Sequence, residues 1–306
     1  MGVRHVSSKG VGTVTDTACD LCGGIQYTTR YNLKEFMVVC CKECGLVSVR
    51  AQGGDVDPKE MYDEEYYRER VDYYFHNPIT DPQAGVENQN ILDFKQGLSI
   101  LEEYKSPHQS KLLDVGCALG IFLYLAKQKG WDTNGIDVSK YATDYARKTF
   151  GINAMCGVLT EMRLPDKEFD VITLWDVFEH FQDPSRQLKE IHRILKDDGI
   201  VLLDTPNAEA LIRRIAHVLY WASLGTIAYP AQKLHHVFHL YYFSRETARR
   251  MVEKSGFKIV WVRGKPIPLI KARGTKAERL IVKAFSLLEA KLDMQYEILM
   301  LLQKAS

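Results

Sequence analysis

Apolar and polar positions along this chain follow two regimes that change near residue 111. Upstream, a tyrosine-rich acidic run at 61–70 places Tyr62, Tyr66 and Tyr67 at i, i+4 and i+5. A second helical stretch at about 86–104 spaces Ile91, Phe94, Leu98 and Leu101 at helical intervals. Downstream, short apolar runs at 111–115, 133–136, 152–156, 169–174 and 200–203 read as strands. They alternate with helical stretches at 121–129, 139–150 and 184–195, and a helix and strand follow at 244–254 and 256–262. That alternation predicts an α/β fold, a Rossmann-like doubly wound sheet of largely parallel strands. The tail at 276–302 reads as an amphipathic helix with Ile281, Ala284, Leu288 and Leu292 in one stripe.

Five of the seven cysteines lie in the first 44 residues. Cys19 and Cys22 form one CxxC knuckle, Cys41 and Cys44 a second, with 18 residues between the pairs. Two such knuckles aim four thiolates at one point, the donor set of a closed structural Zn2+ site. Cys40 competes with Cys41 as a ligand, but the CxxC register favours Cys41. Residues 1–52 therefore read as a small zinc ribbon, 53–110 as a helical lead-in, and 111–306 as the core.

With 306 residues and 46% hydrophobic composition, the chain can bury a sizeable core. It lacks the uninterrupted apolar run of a spanning helix and an apolar segment in its first twenty residues, so the cytoplasm is the expected compartment. Net charge is +1, yet residues 205–306 carry 17 Lys+Arg against 7 Asp+Glu. A basic end on a neutral chain suits an acidic ligand or surface, or a solvated helical face.

After the first core strand comes Gly116-x-x-x-Gly120, a turn tight enough for backbone to approach a ligand. Asp137 closes the next strand, 21 residues after Gly116, where a carboxylate accepts both hydroxyls of an adenosine ribose. Asp114 precedes the loop. Its charge would repel a pyrophosphate and suits the cationic methionine end of S-adenosylmethionine.

The segments Leu112-Leu-Asp-Val-Gly-Cys-Ala-Leu-Gly120, Gly135-Ile-Asp-Val-Ser139, Asp176-Val-Phe-Glu-His180 and Leu195 through Asn207 resemble, in order, the motifs of class I S-adenosylmethionine-dependent methyltransferases. The resemblance implies donor contacts at Asp114, Gly116, Cys117, Gly120, Asp137, Leu159 and Trp175. It departs from the family at Ala118, which replaces the usual middle glycine. It departs again at Val158, where an Asp usually meets the adenine, so backbone of Val158 and Leu159 is expected to hold that base. Tyr62, Tyr66 and Tyr67 fall where relatives place a cofactor lid.

Asp176, Glu179 and His180 at i, i+3 and i+4 would share one face of a helical turn, able to bind a divalent metal such as Mg2+ or to form a base with its orienting carboxylate. The trio resembles a segment of ubiquinone-biosynthesis O-methyltransferases, in which it is a metal site. The Glu179–His180 pair also resembles the acid/base pair of sugar C-methyltransferases that carry a similar cysteine-rich domain. His239, in a cluster with His235 and His236, is a second base candidate by the same resemblance. The insertion at about 208–240 combines Leu211, Ile212, Ile215, Leu219, Trp221 and Leu224 with Arg213, Arg214 and His217, the composition of an interfacial cap.

The expected partner is a small sugar-derived or lipid-linked acceptor, with peripheral membrane contact or a homodimer accounting for the apolar surface. An RNA methyltransferase with a ribbon for recognition is the weighed alternative. The neutral net charge and the acidic ribbon half argue against nucleic acid.

Overall fold

The computed structural model describes residues 18–51, 62–68, 89–266 and 276–305. Three strands come first: β1 (Tyr27–Asn32), β2 (Phe36–Cys41) and β3 (Val47–Ala51). Helix α1 (Gln89–Glu102) leads into β4 (Lys111–Val115), α2 (Ile121–Gln128), β5 (Asp132–Asp137), α3 (Lys140–Phe150) and β6 (Asn153–Cys156). Then come β7 (Phe169–Trp175), α4 (Pro184–Ile194), β8 (Leu195–Pro206), α5 (Leu211–Ala222), α6 (Tyr229–Leu234) and β9 (Tyr241–Tyr242). The chain closes with α7 (Arg245–Lys254), β10 (Phe257–Lys265), α8 (Lys276–Lys291) and β11 (Glu297–Lys304).

The core sheet runs β10-β11-β8-β7-β4-β5-β6, with β4 to β8 parallel and β11 antiparallel to both neighbours. Adjacent residues on a strand face opposite sides, so Leu113 and Leu112 belong to two different cores. On one side Leu113, Ile172 and Val201 pack with Leu188 and Ile191 of α4 and with Ala248 and Met251 of α7. On the other, Leu112, Val171 and Leu202 pack with Leu98 and Leu101 of α1 and with Phe122 and Ala126 of α2. Helix starts obey local chemistry. Asp183 accepts from the Arg186 amide at 2.9 Å ahead of Pro184, and Ser244 with Thr247 forms a reciprocal capping box.

Two expectations are corrected. The tail is helical only to Lys291; residues 297–304 form β11, inserted between β10 and β8. Ile298, Leu299, Met300, Leu301 and Leu302 are all buried, and a continuous apolar run buried on both faces makes a strand rather than a stripe. The fifth core strand starts at Leu195 directly after α4, because the pairing slips between Phe169↔Leu195 and Val171↔Ile200 and loops out Lys196–Gly199. The ribbon is also no separate appendage. β9, from the histidine segment, adds to β1–β3 as a fourth strand, with Val47 opposite Tyr242 and the Val49 amide 2.9 Å from the Leu240 carbonyl.

Gly120 caps α2 at φ +79, and a Cβ there would stand 2.7 Å from the Ala146 Cβ of α3. Gly120→Ala should therefore destabilise by about 2–4 kcal/mol, combining left-handed strain and overpacking. Urea unfolding would show this as a lowered midpoint at unchanged slope.

Candidate active site

The chain moves outward from β4 to β6, then returns to lay β7 on the other side of β4. Strand order thus reverses between β4 and β7, and the crevice beyond their carboxyl ends is where such sheets bind ligands. Gly116 turns the chain at φ +77, and the amides of Gly116 and Cys117 both reach the Ile136 carbonyl, at 2.8 and 3.0 Å. Ala118 follows with φ 46, a left-handed backbone that the family's usual glycine adopts without strain. Its amide donates to Asp137 Oδ2 at 2.9 Å, the Ser139 amide donates to Oδ1 at 2.8 Å, and the Tyr67 hydroxyl bonds the same carboxylate. Burial still pushes the Asp137 carboxyl up to about 6.

Asp114 is buried on the neighbouring strand, with the Thr173 hydroxyl donating to it at 2.6 Å, and burial lifts it to about 8. Leu159 is buried and opens a short 3-10 turn just after Val158. The Cys117 thiol is turned into the core against Gly135, which leaves its backbone as the part nearest the loop's ligand face. The Trp175 indole is engaged on the α1–α2 side, at 5.3 Å between ring centroids from both Phe94 and Phe122. A cleft of about 750 Å³ lies between the Tyr62–Glu64 segment and the start of α3, lined by Tyr62, Val138, Ser139, Tyr141 and Tyr145.

The acceptor side is arranged differently from the sequence expectation. Asp176 adopts φ 50, so the helical register that would have aligned it with Glu179 and His180 is broken; the 3-10 turn begins only at Phe178. The atoms that converge within 4.8 Å belong to Glu179, His180 and His239. The expected Asp176–Glu179–His180 grouping is thereby corrected, with His239 standing where Asp176 was expected, and this geometry gives the expected Mg2+ no support. Glu179 is fully buried, with Oε2 accepting from Thr205 at 2.9 Å, and burial pushes its carboxyl up to about 8. His180 Nδ1 lies 2.7 Å from the Phe238 carbonyl and 3.1 Å from the Tyr62 hydroxyl, while burial lowers the ring to about 4. His239 stands edge-on to His180 with centroids 4.6 Å apart, and burial holds it well below the usual imidazole range. His235 is a core residue wedged between Tyr31 and Tyr242.

Asp176 instead faces a cluster that sequence reasoning missed. Lys265, at the end of β10, contacts Asp204, Asp93 at 3.0 Å and Glu297 at 2.8 Å. These groups come from four separate segments, and no local spacing announces them. Burial pushes the Asp176 carboxyl upward, and Glu297 and Glu179 add to it.

In the ribbon, Cys19 Sγ lies 3.5 Å from Cys44 Sγ and Cys22 Sγ 3.6 Å from Cys41 Sγ, all four within 4.8 Å. Four sulfurs bound to one tetrahedral ion sit about 3.8 Å apart, so the cluster has the dimensions of a metal site, and the distances are far beyond a disulfide. The Cys40 thiol points elsewhere, toward the Gly45 carbonyl at 3.5 Å.

A methyltransferase domain model matches residues 81–262. Ubiquinone biosynthesis O-methyltransferases of Pseudomonas aeruginosa and Coxiella burnetii are 31% and 27% identical over 103 and 115 residues. These matches cover 32% and 36% of this chain. They span 44% and 49% of those relatives, about half their length. A methyltransferase structure from Archaeoglobus fulgidus aligns with TM-score 0.52 at 17% identity, over 78% of this chain and all of that one. One from Galdieria sulphuraria, described as a sarcosine dimethylglycine methyltransferase, aligns with TM-score 0.55 at 15% identity, over 79% of this chain and 99% of that one. With more than half of its length matched and the glycine loop, Asp137 and the strand reversal in one crevice, the chain belongs to the methyltransferase domain family, as a class I S-adenosylmethionine-dependent methyltransferase.

Proposed function

We propose that the protein transfers the methyl group of S-adenosylmethionine to a hydroxyl, or a carbon, of a sugar-derived or amphiphilic small molecule. The observation that carries this reading is the convergence of Glu179, His180 and His239 within 4.8 Å, on the next strand end from the donor crevice. Methyl transfer from a sulfonium is an in-line displacement, for which a protein must position two partners and remove the acceptor's proton. Asp137 would hold the ribose, the loop 116–120 the methionine end, and the His180–Glu179 pair, flanked by His239, the acceptor. Both imidazoles are neutral at pH 7 by virtue of their burial, so each has a lone pair free to take a proton.

The cap supports an amphiphilic acceptor. Helix α5 buries only Arg213 and Ala216 while Ile215, Val218 and Trp221 are exposed, and Leu224 beyond it is 92% exposed. Such inverted amphipathicity beside a catalytic crevice fits contact with an apolar tail or an anionic membrane surface. Among the described residues no helix is long and apolar enough to cross a membrane. We further assign the four-cysteine cluster to a structural Zn2+; a set of four thiolates leaves no open position for chemistry. Native mass spectrometry should find one Zn2+ held by Cys19, Cys22, Cys41 and Cys44, and Cys41→Ser should release it and lower the melting temperature.

Calorimetry should show donor binding that Asp137→Asn weakens at least tenfold. Because the carboxylate is the form that accepts the ribose hydroxyls and its pKa lies at about 6, affinity should be level above that pH. Below it, affinity should fall by up to about tenfold per unit. A nicotinamide cofactor binding in place of S-adenosylmethionine would overturn the assignment.

Labelled donor offered with nucleotide sugars, lipid-linked phenols and RNA tests the acceptor class. Transfer to one of the first two classes is expected, with His180→Ala lowering kcat by about 10²–10⁴-fold at unchanged donor affinity. Transfer to RNA alone would replace this reading.

A further inference from the structure

Tyr67 stands inside the crevice that the donor is to fill. The residue is 6% exposed and packs with Leu119 of the glycine loop, Ile121 at the start of α2 and Ala142 of α3. Its hydroxyl bonds the Asp137 carboxylate. Burial holds the phenol well above its usual range, with Asp137 adding to the shift, so the hydroxyl keeps its hydrogen and donates.

Asp137 has too few lone pairs for every donor that would reach it. A carboxylate offers about four. The Ala118 amide takes one on Oδ2 at 2.9 Å, the Ser139 amide one on Oδ1 at 2.8 Å, and Tyr67 a third. One is left, and a ribose diol needs two. The amides are fixed by the glycine loop and the start of α3, so the tyrosine is the group that must yield.

Tyr67 belongs to a short piece that also reaches the acceptor side. Residues 64–68 make a single helical turn, and Asp63 caps it by accepting from the Tyr66 amide at 2.9 Å. A lone turn is not stable by itself, so ring contacts hold it in place. Tyr66 meets both Tyr62 and Tyr67 edge-on, at 5.0 Å between centroids in each case. Tyr62 covers His180, with its hydroxyl 3.1 Å from Nδ1 and its ring edge-on to the imidazole.

We infer that the segment 62–67 is a plug: Tyr67 occupies the position of one ribose hydroxyl, S-adenosylmethionine displaces it, and the displacement withdraws Tyr62 from His180. Donor entry thus uncovers the acceptor side, and the substrates add in order, donor first. This deepens the proposed methyl transfer and rests on it for the roles of Asp137 and His180. Because only the open form accepts the donor, the observed affinity is the intrinsic one reduced by the fraction of molecules that are open. Any contact that favours the closed form therefore opposes binding, wherever along the segment it lies.

Calorimetry on the full chain at pH 8, with S-adenosylhomocysteine as the probe, tests this. Tyr67→Phe keeps the ring in its apolar cluster and removes only the hydroxyl, and it should tighten binding about three- to tenfold. Tyr62→Phe should shift affinity in the same direction, although its hydroxyl lies on His180 and not on Asp137. A Tyr67 that merely supported the fold, or bonded Asp137 alongside the ribose, would on losing its hydroxyl weaken binding. That result, or unchanged affinity in both variants, would overturn the plug. Unchanged affinity in Tyr62→Phe alone would separate His180 from the donor site and overturn the ordered addition.

The 2′-deoxy and 3′-deoxy forms of the probe give a readout independent of stability. For one of them, loss of the hydroxyl should change wild-type affinity little, since Tyr67 then stays in place, and weaken Tyr67→Phe about tenfold. Equal losses in the two proteins would show no competition and also overturn the plug. Failure of the wild type to bind the probe at all would remove the donor site itself. Binding that Asp137→Asn weakens and neither tyrosine affects would remove the plug and leave the proposed function intact.

Discussion

Carboxylates buried at or near the carboxyl ends of the core strands, matched among the described residues by Lys265 at Asp204 alone, are the constraint on which this structure turns. Asp114, Asp137, Glu179 and Asp204 are all at most 6% exposed. The charged form of each loses water on folding, so Asp137 moves up to about 6 and Asp114 and Glu179 to about 8. A carboxyl whose folded pKa is raised favours the folded state below its unfolded pKa. That contribution is lost as pH rises through the folded value, here between about 6 and 8. Near neutral pH the empty crevice is thus less stable than an apolar one of the same shape would be. Groups that bring hydrogen-bond donors or positive charge reverse this, and S-adenosylmethionine brings a diol and a sulfonium. The arrangement favours the ligand over the unliganded fold.

The sheet also links the ribbon to the Glu179–His180–His239 cluster. β9 pairs with β3 of the ribbon two residues after His239, so the histidine is held by the cysteine-rich segment as much as by the core. Arg213 ties the cap to both. The residue is 3% exposed, and its guanidinium stacks on Tyr242 at 4.6 Å and Tyr296 at 5.3 Å and donates to the Asn207 carbonyl at 3.0 Å and to that of Leu234. A buried cation satisfied by ring faces and carbonyls, with no carboxylate partner among the described residues, fixes geometry without adding to the acidic cluster nearby. Tyr31 of β1 packs edge-on against His217 and Tyr220 of α5, so ribbon and cap share one wall.

How far these features could be read from the sequence follows from the range of the interactions that make them. The glycine loop, Asp137 and the two CxxC knuckles are local: a turn, a strand end and a pair of tight bends each require their residues within a few positions. The parallel strands were legible for the same reason. β11 was not, because 297–304 is a nearly continuous apolar run, and its length and neighbours, not its period, decide between helix and strand. Lys265 and its three carboxylates were invisible because they meet only once β8, β10, β11 and α1 are assembled. His239 was named from a resemblance, but its place beside Glu179 depends on β9 joining the ribbon sheet, a contact without a spacing rule.

Asp176 shows why the last step needed three dimensions. Helical spacing would have set it beside Glu179 and His180, yet its φ of 50 turns the chain the other way. A non-glycine residue there is strained, and strain persists only where surrounding packing fixes it. That packing is present: Phe178 stacks on Phe243 at 4.3 Å between centroids, and Val177 fills the space where a side chain on Gly116 would have stood. The turn therefore separates two acidic groups that a regular helix would have merged. Asp176 goes to the Lys265 cluster, while Glu179 goes beneath Thr205 and meets the two imidazoles. The turn thus sets Glu179 against two imidazoles while Asp176, Asp204 and Glu297 remain near enough to act on the acidic pair, and burial together with Asp204 and Glu297 holds the Glu179 carboxyl up at about 8.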